Sequence, residues 1–119
     1  MPGKILFVDD DPNFQKMIEI FLRNNSYDIS FAKNGRSALH LIQQHVYDLV
    51  ISDVQMPEMD GLTMITEIKK VNADLPVIIV SAFGNESMAE KAIAAGARLI
   101  LNKPFESKAL ISAIETFIR

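Results

Sequence analysis

Residues 48–61 read Asp-Leu-Val-Ile-Ser-Asp-Val-Gln-Met-Pro-Glu-Met-Asp-Gly, an apolar run that leads into a carboxylate and then into a turn. An apolar run bounded by Pro and Gly is typical of a strand buried on both faces of a parallel sheet. Asp53 would then stand at the edge of the sheet, where a nucleophile or a metal ligand can meet solvent. Taken alone, Asp53 could equally end a strand and begin a turn, so its meaning depends on the rest of the chain.

Apolar strands and amphipathic helices alternate along the whole sequence. The predicted strands lie at residues 4–8, 27–32, 49–53, 76–80 and 98–101. Helical spacing of apolar residues follows each strand, with Asp11 and Pro12 at a helix start and Gly96 at a helix end. This alternation predicts a doubly wound α/β fold, in which helices cover both faces of a parallel sheet. The first, third and fourth strands are the most apolar and suit the centre, which predicts the flavodoxin-like order 2-1-3-4-5.

Length and composition exclude several classes of protein. The 119 residues, of which 49% are hydrophobic, predict one domain over residues 1–119 with a substantial core. The absence of cysteine excludes disulfides and thiolate sites. No apolar run reaches the length of a membrane span or a signal peptide, so we expect a soluble cytoplasmic protein. A net charge of −3 without a basic block argues against nucleic-acid binding by this segment.

Polar residues interrupt the apolar pattern at the same end of four predicted strands. They are Asp9 and Asp10 after the first strand, Asp53 at the end of the third, Ser81 at the end of the fourth and Lys103 after the fifth. Because the carboxyl ends of parallel strands meet at one edge of the sheet, these dispersed positions predict a single site.

The chemistry of this site can be argued from its side chains. Three carboxylates close together repel one another and require a cation or a proton. Oxygen ligands without cysteine favour a hard ion, and Mg²⁺ is the expected cofactor. With the Lys103 ammonium and the Ser81 hydroxyl nearby, Asp53 could attack phosphorus while the new phosphoryl oxygens are neutralised.

The chain resembles the receiver domains of two-component response regulators over essentially its whole length. The motifs that carry the resemblance are Val8-Asp9-Asp10, Met56-Pro57-x-Met59-Asp60-Gly61 after Asp53, Ser81-Ala82, and Gly96-Ala97 ahead of Lys103-Pro104-Phe105. The resemblance implies that Asp53 accepts a phosphoryl group from a sensor histidine kinase and then alters a surface read by an output domain or protein. It also implies a Mg²⁺ site made by Asp9, Asp10, Asp53 and the backbone carbonyl of Gln55, with Ser81 and Lys103 on the phosphoryl oxygens.

One position departs from the family pattern. Three residues before Lys103 the family usually has Tyr or Phe, whose ring turns inward on phosphorylation, and this chain has Ile100. The resemblance implies a phosphorylation-dependent dimer through the fourth helix, fifth strand and fifth helix. Because Ile100 has no ring to swing, we expect the change to be carried mainly by the loop after Ser81 and the start of the fourth helix.

Other functions were weighed against the same residues. A hydrolase with an aspartate nucleophile needs a second acid two residues later, where this chain has Gln55. A flavin-binding protein of this topology needs a phosphate loop rich in Gly, Ser or Thr after the first strand, and none is present. A phosphate-independent interaction module is a further alternative. The presence of Asp9, Asp10 and Asp53 together argues against it. The chain is compatible with a stand-alone regulator or with the receiver of a longer protein whose output lies beyond Arg119.

Overall fold

The structure, a computed structural model, describes residues 3–53, 61–82, 86–103 and 105–118. The elements in chain order are β1 (Lys4–Val8), α1 (Pro12–Phe21), β2 (Asp28–Ala32), α2 (Gly35–Gln44), β3 (Leu49–Asp53), α3 (Gly61–Val71), β4 (Val77–Ala82), α4 (Glu86–Ala95), β5 (Leu99–Lys103) and α5 (Ser107–Phe117). The five strands are parallel in the order β2-β1-β3-β4-β5. The predicted fold class, strand order and edge strands are confirmed.

The sheet separates two hydrophobic cores. Side chains alternate between the faces of a strand, so β1 sends Ile5 and Phe7 to one face and Leu6 and Val8 to the other. On the first face, which we call the α1/α5 face, the helices contribute Phe14, Ile18, Leu110, Ala113 and Ile114. On the second, the α2/α3/α4 face, they contribute Ala38, Ile42, Met64, Ile65, Ile68 and Ala92. Each face of the sheet is therefore buried, as the apolar strands predict.

Local signals fix the ends of two helices as predicted. The Asp11 side chain caps α1 by accepting a hydrogen bond from the Asn13 N–H at 2.9 Å. Gly96 ends α4 with a φ of 125°, a conformation that residues with a side chain rarely adopt. A Cβ at this position would lie 3.1 Å from Lys69 Cε, so the close packing of α3 also favours glycine.

The last two strands extend further than the sequence predicts. Pairing of β4 with β5 continues to Ala82 and Lys103, so Lys103 lies within β5 and not after it, whereas Ser81 lies at the end of β4 as predicted. The predicted strands end where the apolar residues end, whereas backbone pairing between β4 and β5 continues beyond the core, where a strand tolerates polar residues. In the parts of the chain that the structure describes, no helix is long and apolar enough to cross a membrane.

Candidate functional site

The sheet register brings the predicted site residues to one edge. Asp53 is the last residue of β3 and pairs with Val80 of β4, directly before Ser81. The pairing of β1 with β3 puts Asp9, the residue after β1, level with Asp53. Lys103 is the last residue of β5. Since neighbouring strands are about 4.8 Å apart, these positions are within side-chain reach of one another.

The ammonium of Lys103 lies between two carboxylates. Its Nζ is 3.4 Å from Asp53 Oδ2 and 3.7 Å from Asp9 Oδ2. Both distances are longer than the roughly 2.7–2.9 Å of a strong charge-assisted hydrogen bond. The same Nζ lies 4.7 Å from the centre of the Phe14 ring, within the range of a cation–π contact. Lys103 is therefore shared among three groups and bound tightly to none of the three.

Asp9 is the most buried charged side chain of this site. Its Oδ1 accepts a hydrogen bond from the Asp11 N–H at 2.9 Å, whereas its buried Oδ2 accepts none from the described residues. Burial raises the pKa of the Asp9 carboxyl, and the charges of Asp53 and Asp10 raise it further. The Asp11 N–H and the Lys103 ammonium lower it, but burial dominates. The Lys103 ammonium, 3.7 Å from Asp9 Oδ2, therefore offsets only part of the cost of burying the charged carboxylate.

The remaining predicted residues are placed differently. Asp10 is exposed and close enough to affect the charge of Asp9. Ser81 is buried at the end of β4. In β4, Ile79 packs on the α2/α3/α4 face and Val80 on the α1/α5 face, so alternation directs Ser81 to the α2/α3/α4 face. The structure therefore brings Asp9, Asp53 and Lys103 into contact.

The donor set was tested for its fit to Mg²⁺. Within the described ranges, no three histidine, aspartate or glutamate side chains lie close enough together to hold a metal ion. Gln55, the fourth predicted ligand, falls in residues 54–60, outside the described part of the chain. The buried Asp9 Oδ2, an acceptor without a hydrogen-bond donor among the described residues, is nevertheless the kind of oxygen that a hard cation binds. The carboxylate oxygens of this site are therefore of the chemical type that Mg²⁺ binds.

Sequence reasoning missed the role of Phe14. The helical spacing places Phe14 on the buried side of α1, and the structure confirms that burial. Helical periodicity identifies the face of a helix that is buried but not the strand end that the ring meets. The sequence offers one indication of this contact: Phe14 lies in the first turn of α1, the helix that follows Asp9 and Asp10.

Ile100, the position that departs from the family pattern, lies in the middle of β5. It is partly buried, pairs with Ile79 of β4 and packs on the α2/α3/α4 face. Asp9, Asp53 and Lys103 follow residues of that same face and therefore project to the α1/α5 side of the sheet. Ile100 and the Lys103 ammonium are thus on opposite sides of the sheet.

Comparison with known proteins agrees with this architecture. Residues 5–115 match the family of the response regulator receiver domain. The chain is 40% identical over 115 residues to the chemotaxis protein CheY of Bacillus subtilis, covering 96% of both proteins. It is 39% identical over 114 residues to the transcriptional regulatory protein GlrR of Escherichia coli, covering 96% of this chain and 26% of GlrR.

Solved structures give the same result. A putative response regulator from Chloroflexus aurantiacus superimposes with a TM-score of 0.93 at 32% identity and covers 98% of each chain. NtrX from Brucella abortus superimposes with a TM-score of 0.92 at 32% identity, covering 99% of this chain and 27% of NtrX. The chain therefore matches nearly the full length of CheY but only about a quarter of the longer regulators. Receiver domains generally act in signalling and not as catalysts, and they typically use Mg²⁺.

Matched in sequence over nearly its whole length and in fold over all five strands, this chain is a CheY-like member of the response regulator receiver domain family of two-component signal transduction.

Proposed function

We propose that Asp53 is the phosphoacceptor of a two-component phosphorelay. An Asp53 carboxylate oxygen attacks the phosphorus of a phosphohistidine on a sensor kinase. A P–O bond forms on Asp53, the P–N bond breaks, and the histidine ring leaves with its electron pair and takes up a proton. The observation that carries this proposal is the Lys103 ammonium, 3.4 Å from Asp53 Oδ2 at the open edge of the sheet. A carboxylate beside a fixed cation can accept a phosphoryl group whose negative charge is then partly neutralised.

The other residues of the edge have supporting roles in this proposal. Lys103 binds the phosphoryl oxygens from the α1/α5 side of the strand ends, and Ser81 binds them from the α2/α3/α4 side. Asp9 and Asp10, with Asp53 and the Gln55 carbonyl, would hold Mg²⁺, which would neutralise charge on the transferring group. The buried Asp9 Oδ2 supports this assignment, since it accepts no hydrogen bond from the described residues.

The consequence of phosphorylation is a change of interaction surface. The phosphoryl group adds negative charge and acceptor oxygens close to Ser81 and Lys103. The hydroxyl and the ammonium are drawn toward that charge, and the strand ends that carry them belong to β4 and β5. We propose that residues 1–119 form one receiver domain whose altered surface is read by an output domain or a separate protein.

Acetyl phosphate with Mg²⁺ tests the phosphoacceptor directly, read by intact mass. The wild type should gain about 80 Da, and Asp53→Asn should gain nothing. Asp48→Asn is the matched control, because Asp48 lies at the opposite end of the β3 segment and accepts the Lys4 N–H at 2.8 Å. It should label like the wild type. Chelation of Mg²⁺ should prevent labelling in every variant.

Two outcomes would overturn the proposal. Full labelling of Asp53→Asn would show that another residue accepts the group. A wild type that never gains mass would instead favour the alternative, a phosphate-independent interaction module on this fold.

A further inference from the structure

The Phe14 ring contacts the ammonium of Lys103, which lies beside the proposed acceptor Asp53. Lys103 Nζ lies 4.7 Å from the ring centre, inside the roughly 6 Å limit for attraction between a cation and an aromatic face. Resting on the function proposed above, we propose that Phe14 is a positioning residue, which keeps Lys103 from pairing fully with Asp53. The Lys103–Asp53 ion pair then stays at 3.4 Å, and less of it has to be broken before the carboxylate attacks phosphorus.

The ring is fixed by its neighbours. Phe14 is only 7% exposed and belongs to the core of the α1/α5 face. Its ring packs edge-on against Phe105, with centroids 6.3 Å apart and an interplanar angle of 84°. Phe21, two helical turns beyond Phe14 on α1, also packs against Phe105, with ring centroids 6.3 Å apart. Because Phe105 is two residues beyond Lys103, the same aromatic cluster anchors the chain segment that carries the lysine.

The electrostatics explain why an aromatic ring suits this position. Both carboxylates attract Lys103, yet its distances of 3.4 Å to Asp53 and 3.7 Å to Asp9 are long for full pairing. The face of a ring attracts a cation without carrying net charge and without accepting a strong hydrogen bond. Phe14 therefore competes for the ammonium while adding no negative charge to an edge already rich in carboxylates.

Removal of the ring should let Lys103 move onto Asp53. The nucleophile would then have to break a closer ion pair before it attacks. Since the Lys103 side chain is 34% exposed, the cation–π contact should be of the weaker, partly solvated kind. Its loss should slow labelling of Phe14→Leu by acetyl phosphate about two- to fivefold.

The contact can be measured without any phosphorylation. In NMR spectra of the resting protein, the ε-methylene protons of Lys103 should be shifted upfield by the ring current of Phe14. Phe14→Leu should abolish that shift. Phe21→Leu is the matched control, because it removes an aromatic that touches Phe105 and lies outside the contact with Lys103; the shift should persist. An unchanged Lys103 signal in Phe14→Leu would overturn the proposal.

A fluorinated series separates charge attraction from packing. Mono-, di- and pentafluorophenylalanine at position 14 weaken the negative ring face while keeping its shape nearly constant. The labelling rate should fall stepwise along the series toward that of Phe14→Leu. If the wild type is labelled but the labelling rate does not change along the fluorinated series, the positioning role of Phe14 is refuted and the proposed function is not. A wild type that shows the upfield shift but never labels would refute the proposed function and leave the contact intact.

Discussion

Asp9 is held in the folded protein at an electrostatic cost. Burial raises its pKa above the ordinary value of about 3.8, so the folded state binds the proton more tightly than the unfolded state. The stability contributed by this group is therefore fully present below the ordinary pKa and is lost as the pH rises through the raised pKa of the folded state. An uncharged side chain of the same shape escapes this loss.

We predict that Asp9→Asn stabilises the metal-free protein at neutral pH. The free energy of unfolding should rise by about 1–3 kcal/mol near pH 7, because a buried charged oxygen without a hydrogen-bond donor among the described residues is replaced. The gain should shrink toward zero as the pH falls to about 4. Urea unfolding with a chelator present measures both.

Asp11→Asn is the control for that experiment. Asp11 is exposed and caps α1, and asparagine caps a helix equally well, so its stability should change little. Added Mg²⁺ should narrow the difference between Asp9→Asn and the wild type, since only the wild type keeps the proposed ligand. A destabilised Asp9→Asn in chelator would contradict the electrostatic account.

The positions of those site residues that depend only on the sheet topology could be predicted from the sequence. Asp9, Asp53 and Lys103 are adjacent because parallel strands end at one edge, and that rule needs only the strand order. The Phe14 contact could not be predicted, because it depends on how far α1 tilts over the strand ends. The burial of Asp9 was also missed, since an acidic pair after a strand reads as exposed.

Among the elements, β5 and α4 bear most on how the signal leaves the site. Ile100 packs on the α2/α3/α4 face and is stiff at χ1, so it cannot fill space vacated by Ser81 through one rotation. Addition of beryllofluoride, a phosphoryl mimic, should shift NMR signals most from Ser81 to the start of α4. Changes at Ile100 and in α5 should be clearly smaller.

A variant sharpens this prediction. Ile100→Tyr restores the ring usual in the family, and beryllofluoride should then shift β5 signals as strongly as those near Ser81. Large shifts at Ile100 in the wild type, equal to those at Ser81, would show that the aliphatic residue switches as a ring does.

The existence and order of the elements followed from the sequence, whereas two boundaries did not. Apolar runs such as Leu49–Ile51 identify central strands because both faces of a parallel sheet are buried. Apolarity does not mark where pairing stops, and the polar ends of β4 and β5 stay in the ladder through backbone hydrogen bonds. Residues 54–60, which carry Gln55, are outside the described chain, so their predicted role stays a prediction.

At the scale of the whole molecule, we predict a dimer that forms on phosphorylation through α4, β5 and α5. Ile93 on α4 is an exposed large apolar residue and a candidate contact in that interface. Sedimentation with beryllofluoride and Mg²⁺ should show dimers of the wild type. Ile93→Glu should weaken dimerisation about tenfold or more, since a charge would be buried at an apolar contact.

Ile20→Glu provides the matched control on a helix outside the predicted interface. Ile20 lies on α1 and is 56% exposed, slightly more than Ile93 at 48%. Its replacement should leave the dimer unchanged. Equal weakening by both variants would point to a general loss of apolar surface, and a wild type that stays monomeric would refute the predicted interface.

The two separated cores have a consequence for how such a protein can diversify. Among the described residues, each strand residue in the core belongs to one cluster, so substitutions under α1 and α5 should act nearly independently of those under α2, α3 and α4. After gene duplication, one copy can accumulate changes on one face while the other face keeps its inherited sequence. The carboxylates and the lysine stand at the strand ends, outside both cores, so changes confined to one core leave them in place.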